Sequence, residues 1–114
     1  MSDIDSLRIK KMIDYIHDHY TERLELAPIA KTAGIGEREC LRYFQRMIQI
    51  SPLQYLIKYR VTKGASMLLD DKTCSVSDVS IRCGFDSPSN FIQTFKRFFK
   101  CSPREYRKND LIKI

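Results

Sequence analysis

Residues 76–106 read VSDVSIRCGFDSPSNFIQTFKRFFKCSPREY, and they repeat an earlier stretch, residues 26–55, which reads LAPIAKTAGIGERECLRYFQRMIQISPLQY. Gly34 aligns with Gly84. After one extra residue in the later copy, Phe44 aligns with Phe95, Arg46 with Arg97, Ser51-Pro52 with Ser102-Pro103 and Tyr55 with Tyr106. These six identities, with matched apolar positions between them, mark a tandem duplication of a unit of ~30 residues.

Each copy begins with a short segment of apolar residues at helical spacing: Leu26, Ile29, Ala30 and Ala33, then Val76, Val79, Ser80 and Cys83. Each segment ends at a glycine, the residue best suited to the left-handed cap of a helix. A short turn follows, then a longer segment with an apolar face: Cys40, Phe44, Met47 and Ile48 in the first copy, Phe91, Phe95, Phe98 and Phe99 in the second. Ser87-Pro88 opens the later of these two, with Ser as N-cap and Pro at N1, where its missing N–H is harmless. Helix, turn and helix in that order is the helix-turn-helix plan, whose second helix can enter a DNA major groove.

Outside the repeats, residues from about Asp5 to Tyr20 place Ile9, Met12, Ile13, Ile16 and Tyr20 on one face, which suits a helix packed on the first unit. Ser51-Pro52 starts another helix that can run to about Leu69 through Leu53, Leu56, Met67 and Leu68. Such a rod is ~27 Å long, near the ~34 Å of one DNA turn, so it could place two recognition helices in successive grooves. Gly64 within it costs ~1 kcal/mol relative to Ala, which predicts a weakened or closely packed point.

The chain of 114 residues carries 20 Lys+Arg against 14 Asp+Glu, for a net charge of +6. Residues 1–50 hold 8 basic and 8 acidic groups, whereas residues 51–114 hold 12 and 6, so the excess lies in the second part. This balance favours polyanionic partners. No apolar run reaches the length of a membrane span and the N-terminus is unlike a signal peptide, so the expected location is the cytoplasm. Cys40, Cys74, Cys83 and Cys101 contain no Cys-x-x-Cys pair, and His17 and His19 lie far upstream; reduced structural thiols are expected, with no metal or cofactor. No nucleophile–base pair or phosphate-cradling glycine loop points to catalysis.

The chemistry is carried instead by two polar helix faces. Arg38, Arg42 and Arg46 recur every four residues opposite the Cys40/Phe44/Ile48 face, with Leu41 and Gln45 beside them. Guanidinium groups suit guanine edges and phosphates, and an exposed Leu suits a thymine methyl. The alternative is a solvated face in which Glu37 and Glu39 are the partners of these arginines. In the second copy the outward positions are Ser89, Asn90, Gln93 and Thr94, followed by Lys96 and Arg97. Asn and Gln can pair with adenine, and the basic residues one turn later are placed for phosphate. Beyond Ser102-Pro103, Arg104 and Arg107-Lys108 fall in a last short helix whose start or flank could meet phosphate.

The stretch GFDSPSNFIQTFKRFFKCSPREYR, residues 84–107, resembles the signature of the DNA-binding domain of AraC/XylS-type bacterial transcriptional regulators: Gly-Phe, a Ser-x-x-Phe helix start, Phe-Lys and a closing Ser-Pro-x-x-Tyr-Arg. The first unit is similar through Leu26, Ile29-Ala30, Gly34, Arg42, Phe44 and Ser51-Pro52, and Arg60 matches an arginine of the family's linker helix. The resemblance implies an all-α fold of about seven helices, with two tandem helix-turn-helix subdomains of homeodomain-like three-helix form joined by a long linker helix. The corresponding divisions are 1–50, 51–70 and 71–108, with a tail at 109–114.

By position, the resemblance implies base reading by Arg38, Leu41 and Arg42 in the first unit and by Ser89, Asn90 and Gln93 in the second. Gln45, Arg46, Lys96, Arg97, Arg107 and Lys108 are the expected phosphate contacts. Gly36 stands where the family usually has a capping Ser, Cys40 where it has a core Leu, and Gly64 where it has an Ala. Gln49 and Lys100 replace the glycines that usually precede the two Ser-Pro turns.

The expected function is sequence-specific control of transcription initiation through an asymmetric promoter site on double-stranded DNA, with RNA polymerase as a further partner and no membrane. The chain is expected to act as a monomer, with dimerisation left to a further domain; it is either a stand-alone regulator or a piece of a longer one. The rival is a basic helical protein-interaction or membrane-surface module, but no helix joins a basic flank to a broad exposed apolar face.

Overall fold

The computed structural model describes residues 2–112, with side chains to residue 109. These residues form seven α-helices and no strand: α1 (Asp3–His19), α2 (Leu26–Thr32), α3 (Glu37–Met47), α4 (Pro52–Asp70), α5 (Val76–Arg82), α6 (Pro88–Phe99) and α7 (Pro103–Ile112). The chain divides into two compact units, Met1–Ile57 and Lys58–Ile114. The division therefore falls inside the helix expected as a separate linker at 51–70. Early α4 residues such as Leu56 belong to the first core, while Val61, Ala65 and Leu68 are buried in the second unit. The expected tail at 109–114 is also shortened, because α7 continues to Ile112 with no Pro or Gly to stop it; residues 113 and 114 lie outside the described residues.

The first core is built from Ile9, Met12 and Ile16 of α1, Ile29 and Ala30 of α2, Cys40, Tyr43 and Phe44 of α3, and Leu56. In the second unit Val79, Cys83, Phe85, Phe91 and Phe95 are buried, and Phe95 contacts Tyr106 edge-on at 5.3 Å. Phe44 and Tyr55 make the matching edge-on contact in the first unit at 6.3 Å. Both members of the aligned Phe/Tyr pair thus recur in space as in sequence. Full burial of Phe44 and of Phe95 contributes ~1.5–3 kcal/mol each.

The turns are duplicated equally closely. Gly34 (φ 68°) and Gly84 (φ 96°) both take the left-handed conformation. Gly34 N donates to Lys31 O and Ile35 N to Ala30 O; Gly84 N donates to Ile81 O and Phe85 N to Ser80 O. Each unit thus ends its first helix in the paired hydrogen bonds of a Schellman cap. At the two Ser-Pro turns, Gln54 N donates to Ser51 Oγ while Ser51 N donates to Gln54 Oε1, and Glu105 N donates to Ser102 Oγ while Ser102 N donates to Glu105 Oε1. These reciprocal capping boxes start α4 and α7, and Pro52 and Pro103 are fully buried behind them. Gln49 (φ 72°) and Lys100 (φ 62°), at the two positions where the resemblance implies glycine, adopt left-handed backbone.

Gly64 resolves as a point of close packing. A Cβ added there would lie 2.6 Å from Phe91 Cε1 and 3.0 Å from Cys83 Sγ.

Candidate nucleic-acid interface

The first candidate recognition helix, α3, starts at Gly36, whose extended backbone (φ −82°, ψ 171°) has the shape of an N-cap but no side chain to bond the open N–H groups. Its far side is sealed by Cys40, Tyr43 and Phe44. Arg38, Leu41, Arg42, Gln45 and Arg46 are all exposed on the opposite side, with Leu41 at 44%. The five residues singled out by periodicity therefore share one accessible face.

That face is not a bare stripe of cations. Arg42 Nη1 donates to Glu39 Oε1 at 2.8 Å, one turn back on the same helix. Arg46 Nη2 lies 3.6 Å from Asp5 Oδ2 on α1, and its guanidinium sits 5.0 Å from the centre of the Tyr43 ring. The Tyr43 hydroxyl donates to Asp5 Oδ1 at 2.7 Å and accepts from Arg8 Nη1 at 2.9 Å. Asp5, Glu39, Arg42, Tyr43, Gln45 and Arg46 together line an open cleft of about 460 Å³ between α1 and α3. The Tyr43 hydrogen bond, opposed by burial and helped by Ser2, Arg46 and Arg8, holds the Asp5 carboxyl below the usual carboxylate range. The same hydroxyl raises the Arg8 pKa. Asp5, Arg8 and Tyr43 were not singled out by sequence. Tyr43 adjoins the core residue Phe44, and its boundary position is the one local signal that could have drawn attention to it.

The second helix, α6, is better capped. Ser87 Oγ accepts from Asn90 N at 3.1 Å and Pro88 fills the first turn, as its sequence predicts. Ser89, Asn90, Gln93, Lys96 and Arg97 are exposed. Thr94 is not: at 7% exposure it belongs to the buried side, so the polar face is narrower than expected. Phe98, expected in the core, is 40% exposed with the Arg97 guanidinium 5.5 Å from its ring centre. The buried face of α6 is accordingly Phe91, Thr94 and Phe95 with Phe99 stacked on Phe95 at 4.5 Å.

Of the two basic residues expected to hold phosphate on α7, Lys108 is exposed, but Arg107 is engaged elsewhere. Its Nε donates to Leu68 O at 2.8 Å and its Nη2 to Asp71 O at 3.2 Å. Arg107 thereby satisfies carbonyls left open at the C-terminal end of α4, a structural use of a side chain expected to meet phosphate. Half-buried Arg60 has its pKa lowered by burial, with Asp86 and Cys83 acting in the opposite direction.

The four cysteines are free thiols. Burial pushes Cys40 up to about 11 and Cys83 up to about 12. Among the described residues no group of three or more His, Cys, Asp or Glu could hold a metal ion, and no helix is long and apolar enough to cross a membrane.

Two helix-turn-helix units, each with one helix that buries an apolar face and presents a polar one, define a class of nucleic-acid-binding domain. The chain belongs to the AraC type of the helix-turn-helix family: the family model described as "Helix-turn-helix domain" matches residues 29–109. It is 40% identical over 105 residues to an uncharacterised HTH-type transcriptional regulator, YdeC, of Bacillus subtilis, covering 92% of this chain and 36% of that protein. It is 29% identical over 100 residues to the melibiose operon regulatory protein of Escherichia coli K12, covering 88% of this chain and 33% of the relative. The chain thus spans about a third of the length of these relatives. Among solved structures, the DNA-binding domain of the global transcriptional factor AdpA in complex with a target DNA matches with a TM-score of 0.79 and 31% identity, over 90% of this chain and 91% of that one. An AraC-type regulator from Chromobacterium violaceum has the same fold, with a TM-score of 0.83 at 24% identity over 90% of this chain and 91% of that one.

Proposed function

We propose that the chain is the DNA-binding module of a transcription regulator and that α3 and α6 each read one half of an asymmetric promoter site, in successive major grooves. The observation that carries this reading is the duplicated recognition helix: in both copies the residues expected to meet bases are exposed on one face and the opposite face is buried. The AdpA domain, 31% identical, is a complex with target DNA, which supports double-stranded DNA as the ligand. Arg38, Leu41 and Arg42 read the first half and Ser89, Asn90 and Gln93 the second, with guanine favoured in one and adenine in the other. Gln45, Arg46, Lys96, Arg97 and Lys108 hold the backbone. RNA polymerase is the further partner and the cytoplasm the place of action.

Because the two units are tandem copies rather than twofold mates, the half-sites are unlike and directly ordered. Selection from random duplex DNA tests this. An asymmetric site with two unlike halves is expected, and recovery of a palindrome with identical halves would contradict it.

A further inference from the structure

The structure assigns Asp5 a role as a built-in competitor for DNA phosphate at Arg46. The inference rests on the proposed use of α3 as a recognition helix and concerns the cleft between α1 and α3. Arg46 is the cation of that cleft whose acidic neighbour comes from another helix: its side chain is 61% exposed, while that of Asp5, 3.6 Å away, is 29% exposed. Glu39, which pairs with Arg42, is a different case, because it rides on α3 itself and is itself half exposed.

Asp5 cannot readily yield its place. Its backbone N–H is bonded to the capping Ser2 hydroxyl at 3.1 Å, its Oδ1 accepts from Tyr43 at 2.7 Å, and Tyr43 is in turn held by Arg8. A carboxylate in the first turn is also favoured by the helix dipole. When a phosphodiester approaches Arg46, the guanidinium must therefore either swing away from a fixed carboxylate or bring the phosphate within a few ångströms of it. Both are unfavourable, and the second sets two negative charges close together. The guanidinium keeps its other N–H groups accessible, so phosphate is weakened at this point rather than excluded. The first unit thereby reads its half-site with little sequence-independent grip, in keeping with the equal numbers of acidic and basic groups in residues 1–50.

The test is binding of the chain to a duplex recovered by selection and to a random duplex of equal length, across a salt series. Asp5→Asn keeps an acceptor for Tyr43 and removes the charge. It should tighten both complexes by roughly twofold to fivefold, the range of an exposed ion pair, and steepen the salt slope by up to about 1. Asp5→Ala, which also drops the Tyr43 bond, should move affinity in the same direction. In an Arg46→Ala background neither substitution should change affinity by more than a small fraction of that. A residue needed only for folding would weaken binding when lost, the opposite sign. Unchanged or weaker binding by Asp5→Asn, or equal tightening without Arg46, would overturn the role. Failure of the unaltered chain to bind any duplex would instead overturn the DNA-binding reading itself.

Discussion

Arg107 Nε lies 2.8 Å from the carbonyl oxygen of Leu68, joining the helix after the second Ser-Pro turn to the end of α4, 39 positions earlier. A side chain so used stabilises the second unit. Arg107→Ala should cost about 1–3 kcal/mol, the range for a charged donor to a part-buried acceptor, and leave the salt slope of DNA binding unchanged. Lys108→Ala should do the reverse. Chemical denaturation together with a salt titration separates the two; a flattened slope with unchanged stability for Arg107→Ala would return it to the phosphate contacts.

Gly64 faces Phe91 and Cys83 too closely for a methyl group. Ala is the better helix former by ~1 kcal/mol, but here overpacking wins, at about 1–3 kcal/mol. Gly64→Ala should therefore lower stability on thermal or denaturant unfolding. An increase would show that Phe91 moves aside at little cost.

Gln49 and Lys100 hold φ values of 72° and 62° without being glycine. Each should gain about 0.5–1 kcal/mol on replacement by Gly, which takes this conformation without steric penalty. The gains should add, since the residues lie in different units. Unfolding of the two single variants and the double variant measures this.

At the interface, Arg42→Ala and Gln93→Ala should relax preference at particular bases by about 1–3 kcal/mol, whereas Lys96→Ala should weaken all sequences alike and flatten the salt slope by about 1. Binding to the selected site, to single-base variants of it and to random duplex distinguishes these outcomes. Equal loss on all DNA for all three would remove the base-reading assignment.

The thiols offer a check on burial. At pH 8 an aromatic disulfide reagent should modify Cys74 and Cys101 in the folded chain and reach Cys40 and Cys83 only on unfolding. Folded-state thiol pKa values raised to about 11 and about 12 mean that both buried groups favour the neutral form. Their contribution to stability is full below the ordinary thiol range near pH 8.5 and is lost as pH rises toward those values. Stability that stayed flat through alkaline pH would contradict this burial.

The repeat made α2 to α7 legible because its strongest marks are local: a glycine that must be left-handed, a Ser-Pro that must start a helix, and aromatic rings at helical spacing. What escaped depends on resolution and distance. Helical positions advance by about 100° per residue, so residues at the edge of an apolar stripe, such as Thr94 and Phe98, are assigned to the wrong side by a single step. Arg107 read as one more cation in a basic run because its carbonyl partners are remote in sequence. Asp5 is separated from Tyr43 by 38 positions and from Arg46 by more, so no spacing rule could join them.

The division at Ile57 and Lys58 falls within a continuous helix. Amide protons along α4 are protected by whichever cooperative unit must open to release them. The exchange lifetimes along this one rod should therefore change partway, the amides up to Ile57 following the opening of the first core and those beyond it the opening of the second.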